Sequence, residues 1–327
     1  MFRTEVNVSP ASLALGLQSN VLTFGSCFAE VIGNKLLQNK ARALVNPFGT
    51  LFNPISVCKL LQAAAGQPYN FEEHLVQHNG IWYVYDLHSS LSSPDKEELT
   101  ELIRQRLQQT EQQLQQASLL IITLGTAVSY KLIKTGAIVA NCHKLPASNF
   151  NRELLSITEI STAFESLLAV LNQVNPNLKV LLTVSPVRHI KETIEINSVS
   201  KSILRVACHQ LKQTHDHVLY FPAYEIMMDD LRDYRFYKPD MLHPTEVAED
   251  YIWQKFTKAY FSKEFQEFLP EWEKMLRAVA HRPFHPDTPA HQAFLQNTIA
   301  QLRQLELKYK IDASAEQQQL QAQLQQV

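Results

Sequence analysis
Short, continuously apolar runs alternate with amphipathic stretches along this chain, and that rhythm admits few folds. The runs are "NVLTF" at 20–24, "RALVNPFG" at 42–49, "SLLIITLG" at 118–125, "LKVLLTVSP" at 178–186 and "HVLYFP" at 217–222. A strand that reads as an unbroken apolar run is buried on both faces, so helices must cover the sheet on each side. The pattern predicts an α/β fold of three layers, α/β/α, around a mostly parallel sheet. Between the runs, "CFAEVIGNKLLQ" at 27–38 carries Phe28, Val31, Ile32 and Leu36 at helical spacing. A helix from about Ser93 to Gln116, with Pro94 at its first position, aligns Leu99, Ile103, Leu107 and Leu114. "STAFESLLAVLNQV" and "NSVSKSILRVACHQLKQ" read as two more.

Two hairpins break the rhythm. "EEHLVQHNGIWYVYD" centres on Asn79-Gly80, a pair suited to the positive φ angles of a type I′ turn, and "SYKLIKTGAIVANC" centres on Thr135-Gly136. They place insertions near 70–90 and 128–142, the first a candidate lid. After about Glu264 the character changes: "HRPFHPDTPAHQAFLQ" is rich in proline and histidine, and "AEQQQLQAQLQQV" is glutamine-rich with leucines at helical spacing. The expected organisation is an α/β domain over 1–263 and a helical extension over 264–327, packed on the body or used for self-association.

Composition narrows the function. The 327 residues are 45% hydrophobic and 19% charged, with a net charge of -2, which provides no strong field for nucleic acid or an acidic membrane. No stretch reaches the roughly 18 apolar residues that would cross a bilayer. The N-terminus lacks a basic region followed by a long apolar run, so a cytoplasmic protein is expected. Cys27, Cys58, Cys142 and Cys208 form no C-x-x-C pair, which favours reduced thiols over disulfides or zinc. No metal or cofactor is expected, and a small-molecule or carbohydrate ester is the expected substrate.

In an open parallel sheet, ligands gather beyond the carboxyl ends of the strands. Those ends are Gly25-Ser26, Asn46 to Gly49, Gly125-Thr126 and Ser185-Pro186. Ser26 opens a helix, where it is either a cap or a nucleophile in the positive field of the helix N-terminus. Further on, "YKPDMLHPTEVAEDYIWQKF" sets Asp240 three residues before His243, close enough in one turn for the carboxylate to meet one imidazole nitrogen. A serine hydroxyl needs a base to take its proton, and the base needs an acceptor to hold its tautomer. Ser26, His243 and Asp240 fill those roles. Ser185 and Arg188 in "LTVSPVRH" end the fourth strand on the same side and are candidate substrate contacts, with a surface role the alternative for Arg188.

With "NPFGTLFNP", "LGTAVSY", "VANCHK", "LTVSPV" and "LRDYRFYKPDMLHP", the signature Gly25-Ser26-Cys27-Phe28-Ala29 resembles the GSCFA-domain family, from about Phe2 to "HRPFHP". That family is similar to a branch of the SGNH (GDSL-type) hydrolase superfamily. The resemblance implies a flavodoxin-like sheet, Ser26 as nucleophile, and Asp240 and His243 as its partners. It also implies Gly49 as the source of an oxyanion-binding N–H, with the Cys27 thiol packed inward and its N–H facing the oxyanion. Gly25 stands where the superfamily has aspartate, and in its third block, here Gly125-Thr126-Ala127-Val128, Ala127 stands where it has an amide-donating asparagine. Asn141 and His143 are the expected replacements, with turn stabilisation as their alternative role. The expected function is a serine ester hydrolase removing a small acyl group, acetyl in particular, from a carbohydrate-like carrier. The alternatives are an acyltransferase using the same residues, a non-catalytic binding module that kept the cleft, and an interaction protein acting through its tail.

Overall fold
The structure, a computed structural model, describes residues 4–11 and 13–325. Its elements run β1 (Asn20–Gly25), α1 (Cys27–Gln38), β2 (Arg42–Val45), α2 (Pro54–Ala64), β3 (Leu75–His78), β4 (Ile81–Val84) and α3 (Lys96–Gln116). They continue with β5 (Leu119–Leu124), β6 (Val128–Leu132), β7 (Ile138–Val139), β8 (Phe150–Leu154), α4 (Ile157–Val174), β9 (Lys179–Val184), α5 (Ile194–Thr214) and β10 (Val218–Tyr220). A short turn α6 (Ala223–Glu225) and the helices α7 (Glu246–Tyr260), α8 (Lys263–Ala280), α9 (Pro289–Tyr309) and α10 (Ser314–Gln325) complete the chain.

The five apolar runs form one parallel sheet in the order β10-β9-β5-β1-β2. In order of parallel strands this is 2-1-3-4-5 read from the other edge, the flavodoxin-like arrangement. Successive side chains of a strand point to opposite faces, so each run feeds two cores. Leu22, Phe24, Leu120, Ile122, Leu182 and Val184 pack under α2, α3, α4 and α5. Val21, Leu119, Ile121 and Leu181 pack under α1, α7 and the three last helices. Three layers result.

Local chemistry sets the helix starts. Asn53 caps α2 with Pro54 at the first turn, and Ser156 with Glu159 closes a capping box on α4. Pro94 is not the first residue of α3 as expected: Asp95 caps that helix by accepting from Glu98 N–H, which leaves the proline before the cap. β2 is shorter than the apolar run suggested, because Asn46 turns the chain with a φ of 40°. Both hairpins form. Asn79 and Gly80 take φ values of 50° and 76° between β3 and β4, and β6 pairs with β7 and also with β8 in a three-stranded sheet.

The glutamine-rich segment is a helix packed on the body: Leu320 is buried, Lys40 pairs with Glu316 at 2.8 Å, and Gln317 bonds Glu306. Residues 326–327 lie outside the described residues. Fully buried Trp272 of α8 stacks on Phe268 and donates its indole N–H to Gln38 O at 2.8 Å, which ties the last helices to the end of α1. No helix among the described residues is long and apolar enough to cross a membrane. Trp272→Ala is expected to cost about 3–5 kcal/mol in denaturant unfolding of the full chain, as large aromatic truncations in cores do. A loss under about 1 kcal/mol would show that α8 does not share the core of the sheet.

Candidate active site
The two strands at the centre of the sheet, β1 and β5, flank the point where the chain's direction of winding reverses, and such a point leaves a crevice at the carboxyl ends. Ser26 follows β1 and Gly125 follows β5. Both line a cavity of about 590 Å³ together with Cys27, Thr50, Ser185, Arg188, Lys191 and His243. Phe52, His88 and His189 complete much of its wall.

Ser26 occupies the N-cap position of α1 with extended backbone, yet its hydroxyl caps nothing. It is 1% exposed and makes no hydrogen bond among the described residues. Thr23, Thr123 and Thr183 also carry unpartnered buried hydroxyls, but alternation along their strands puts them on the core face under α1. Ser26 alone of these lines the cavity. Its N–H donates to Thr123 O at 3.0 Å, which is possible because Gly25 turns the chain with a φ of 124°. A Cβ on Gly25 would lie 2.1 Å from Thr123 O, so the aspartate of the superfamily pattern cannot stand here.

Asp240 and His243 meet as their spacing implied. The turn they occupy is closed by Lys238 N–H to His243 O at 2.7 Å and by a bridge between Tyr237 and Pro244, and Thr245 then caps α7. Asp240 Oδ1 accepts the N–H groups of Leu242 and His243 at 2.9 and 3.0 Å. Its Oδ2 lies 2.7 Å from His243 Nδ1. A carboxylate there makes Nδ1 the donor and leaves Nε2 unprotonated in the neutral ring. These backbone and imidazole donors hold the Asp240 carboxyl down at about 2, so it is ionised at any ordinary pH.

The residues expected to donate to an oxyanion are not all at the cavity. Gly49, with a φ of 72°, donates its N–H to Asn46 O at 2.8 Å, and it does not line the cavity. The next residue, Thr50, does line it, and the Thr50 N–H makes no hydrogen bond among the described residues. The N–H of Cys27 is one of the first-turn donors that a helix leaves without an internal partner. Asn141 and His143 are not at the cavity: Asn141 Oδ1 accepts from His143 N–H, and the His143 ring is buried against Tyr83. His143 Nε2 donates to Val84 O at 2.8 Å while Ser89 Oγ sits 3.0 Å from Nδ1. Both residues stabilise their own segment, which follows β7 and is held at the end of β4 by the N–H groups of Ala140 and Asn141 on Tyr85 O and by His143 on Val84 O. The third block offers nothing in exchange. Ala127 is fully buried, and its N–H goes to Ser200 Oγ at 2.7 Å.

Ser185 lies at the cavity wall, where its hydroxyl accepts from Val187 N–H. Arg188 braces the Asp240–His243 turn: its N–H donates to Leu242 O, Nη1 donates to Met241 O, and the guanidinium lies 4.1 Å from the ring of Tyr237 and 5.1 Å from that of Tyr234. Cys27 is half-buried at the cavity wall instead of packed inward, and burial pushes its thiol above the ordinary range. Burial also lowers His189, with the positive charge of Lys201 nearby as a second cause.

No sequence pattern had pointed to Lys201. It is 1% exposed on α5, and its ammonium donates to Gly125 O and Ser185 O, both at 2.7 Å. The available signal was its place in the buried stripe Asn197, Ser200, Lys201, Leu204, Ala207, Cys208 and Leu211.

A flavodoxin-like sheet with a buried serine and a histidine–carboxylate pair at one cavity defines the class: a three-layer α/β protein with a cavity at the carboxyl ends of its strands. The sequence matches the GSCFA family over residues 20–256 and the C-terminal domain of GSCFA domain proteins over 272–326. The chain belongs to the GSCFA family. No similar protein was found among curated sequences. Among solved structures, it is similar to a carbohydrate esterase family 3 protein from Talaromyces cellulolyticus, with 8% identity, 77% of this chain and 98% of that one covered, and a TM-score of 0.35. A Clostridium thermocellum family 3 carbohydrate esterase shows 12% identity, 74% and 94% coverage and a TM-score of 0.32. An acetyl xylan esterase (Est2A) from the rumen bacterium Butyrivibrio proteoclasticus shows 11%, 76% and 64%, and 0.38. Likenesses this distant assign neither substrate nor residue roles.

The raised thiol makes Cys27 a poor nucleophile at neutral pH, since the thiolate is the reactive form. Iodoacetamide at pH 7 is therefore expected to alkylate Cys27 several-fold more slowly than free cysteine, as read by peptide mass spectrometry. Alkylation faster than the free amino acid would reverse the order of Ser26 and Cys27 as candidate nucleophiles.

Proposed function
We propose that this protein is a serine ester hydrolase that removes a small acyl group, acetyl in particular, from a carbohydrate-like carrier. The observation that carries this reading is the Ser26 hydroxyl: buried, spent on no cap, and open to a cavity that His243 also lines. A buried polar group without a partner is costly and calls for a reason, and poising for reaction is one. Ser26 Oγ attacks the acyl carbonyl, its proton passes to His243 Nε2, and Asp240 holds the ring and balances the imidazolium. The N–H groups of Cys27 and Thr50 receive the oxyanion. Water then takes the place of the departed alcohol and the same residues run in reverse; an alcohol in place of water makes the reaction a transfer. The Ser26 hydroxyl makes no hydrogen bond to His243, and such catalytic bonds commonly tighten only when substrate is bound.

The lining supports an acidic carrier. Arg188 and Lys191 face the cavity region with no Asp or Glu among the lining residues, and neither cation forms an ion pair among the described residues. A cleft lined by one sign of charge concentrates ligands of the other.

A labelled fluorophosphonate is expected to modify wild type at Ser26 and not Ser26→Ala. Asp240→Asn should slow short-chain ester hydrolysis by at least about 100-fold, since the ring then loses its fixed tautomer. A folded wild-type protein left unmodified at Ser26 would sink the hydrolase reading and favour a non-catalytic binding cleft.

Lys191→Met is expected to raise KM for an acetyl ester whose alcohol part carries a carboxylate about five-fold, the size of an exposed charge contact near 1 kcal/mol, while KM for the neutral analogue stays constant. Equal KM changes for both esters would remove charge from the account of specificity.

A further inference from the structure
Lys201 is a buried cation, bonded to two residues of the cavity wall, that the proposed reaction leaves unused. No carboxylate of the described residues lies within ion-pair distance of its ammonium, which donates instead to the carbonyls of Gly125 and Ser185. Burying a charge without a counter-charge is strongly unfavourable, and the two dipoles compensate only part of the lost hydration. Both carbonyls belong to residues that line the cavity, one at the end of β5 and the other at the end of β9. The ammonium therefore lies behind the part of the wall that Gly125 and Ser185 form, close enough to Cys27 for the two groups to interact. The same place lacks a donor, since Ala127 occupies the asparagine position and neither Asn141 nor His143 reaches the cavity.

Resting on the hydrolase reading above, we propose that Lys201 is a positioning residue that supports the anionic tetrahedral intermediate on Ser26, replacing by charge what the third block lacks by hydrogen bond. In that step the Ser26 Oγ–carbon bond forms, the serine proton moves to His243, and the carbonyl π pair becomes the negative charge on oxygen. The ammonium acts in two ways. It fixes the strand ends that carry Gly125 and Ser185, and it sets a positive potential in a site of low dielectric, where such a potential is worth far more than in water. The intermediate holds a full negative charge that the ester does not, so the effect falls on the transition state and on kcat.

Burial brings the Lys201 ammonium down to about 7, with Cys27 opposing the shift. The groups that face it are Cys27 from α1, His189 from the segment before α5, and the Tyr224 ring of α6 at 6.0 Å. As pH rises through about 7 the ammonium loses its proton and the positive potential goes with it.

The test is the second-order rate of fluorophosphonate labelling at Ser26, where the oxygen–phosphorus bond forms, fluoride leaves and the serine proton goes to His243. The phosphorus centre carries the same developing oxyanion, and no natural substrate is needed. Wild type is expected to label with a rate that declines above about pH 7. Lys201→Met, matched in length and uncharged, should label at least about ten-fold more slowly at pH 6.5, less than the roughly 100-fold or greater loss from removing a direct oxyanion donor, because the ammonium acts from behind the wall. It should also lack the alkaline decline, which a purely structural role would leave in place. Circular dichroism on both proteins establishes the fold. Equal labelling of the folded variant overturns the role of Lys201. A wild-type rate that keeps rising beyond pH 8 overturns it as well, even if the variant does not fold. A folded wild type that does not label at all overturns the hydrolase reading instead, so the two failures are distinct.

Discussion
The site depends on the path of the backbone through Gly25. With a φ of 124° the chain passes so close to β5 that a side chain would lie 2.1 Å from the Thr123 carbonyl. Only glycine permits that approach. In return, Ser26 N–H reaches Thr123 O at 3.0 Å and Gly25 O receives Leu51 N–H at 2.8 Å. One turn thus joins β1 to β5 on one side and to the loop after β2 on the other. It also explains why this chain departs from the Gly-Asp-Ser pattern: the aspartate's place is filled by backbone.

The sheet was legible because its three inner strands, β1, β5 and β9, have two buried faces each. Leu22 and Phe24 go to one core and Val21 to the other, so the runs could not be mistaken for half-exposed strands. The limits of β2 were not legible, because the turn at Asn46 is a backbone event inside an apolar stretch. Of the site, the pieces that could be read were those fixed locally: the serine at a strand-to-helix junction, and the carboxylate and imidazole within one turn. Gly49 was misplaced by one residue, since its N–H closes its own turn and Thr50 is the one at the cavity wall. Asn141 and His143 were misplaced because a hairpin's sequence does not say which way it folds back. Their side chains serve β4 and its neighbours.

Lys201 shows a different limit. A helix that covers a sheet presents a stripe at helical spacing, and a lysine in that stripe reads as an interruption or a register error. Its meaning comes from Gly125 and Ser185, carbonyls far from it in sequence that only the sheet order brings together. The charge of the site is therefore divided by reach. Asp240 is settled by neighbours within three residues, while the cation behind the cavity wall is settled by the whole topology.

The separation of Ser26 from His243 is a matter of helix packing. Each residue stands at the head of a helix, Ser26 before α1 and His243 before α7, and the two helices share one core through Phe28, Ile32, Ala248, Ile252 and Phe256. Lys35 of α1 pairs with Asp250 of α7, and Trp272 with Lys40 holds the far end of α1 to α8. The serine is fixed because its backbone is bonded to β5, and the Asp240 carboxylate is fixed by two backbone donors. What stays adjustable is the His243 side chain, about two-fifths exposed at the cavity mouth. In the proposed reaction, closing the gap to Ser26 therefore falls to an exposed ring and not to the helices, and the last helices, which line none of the cavity, pack on α1 and α7 behind it.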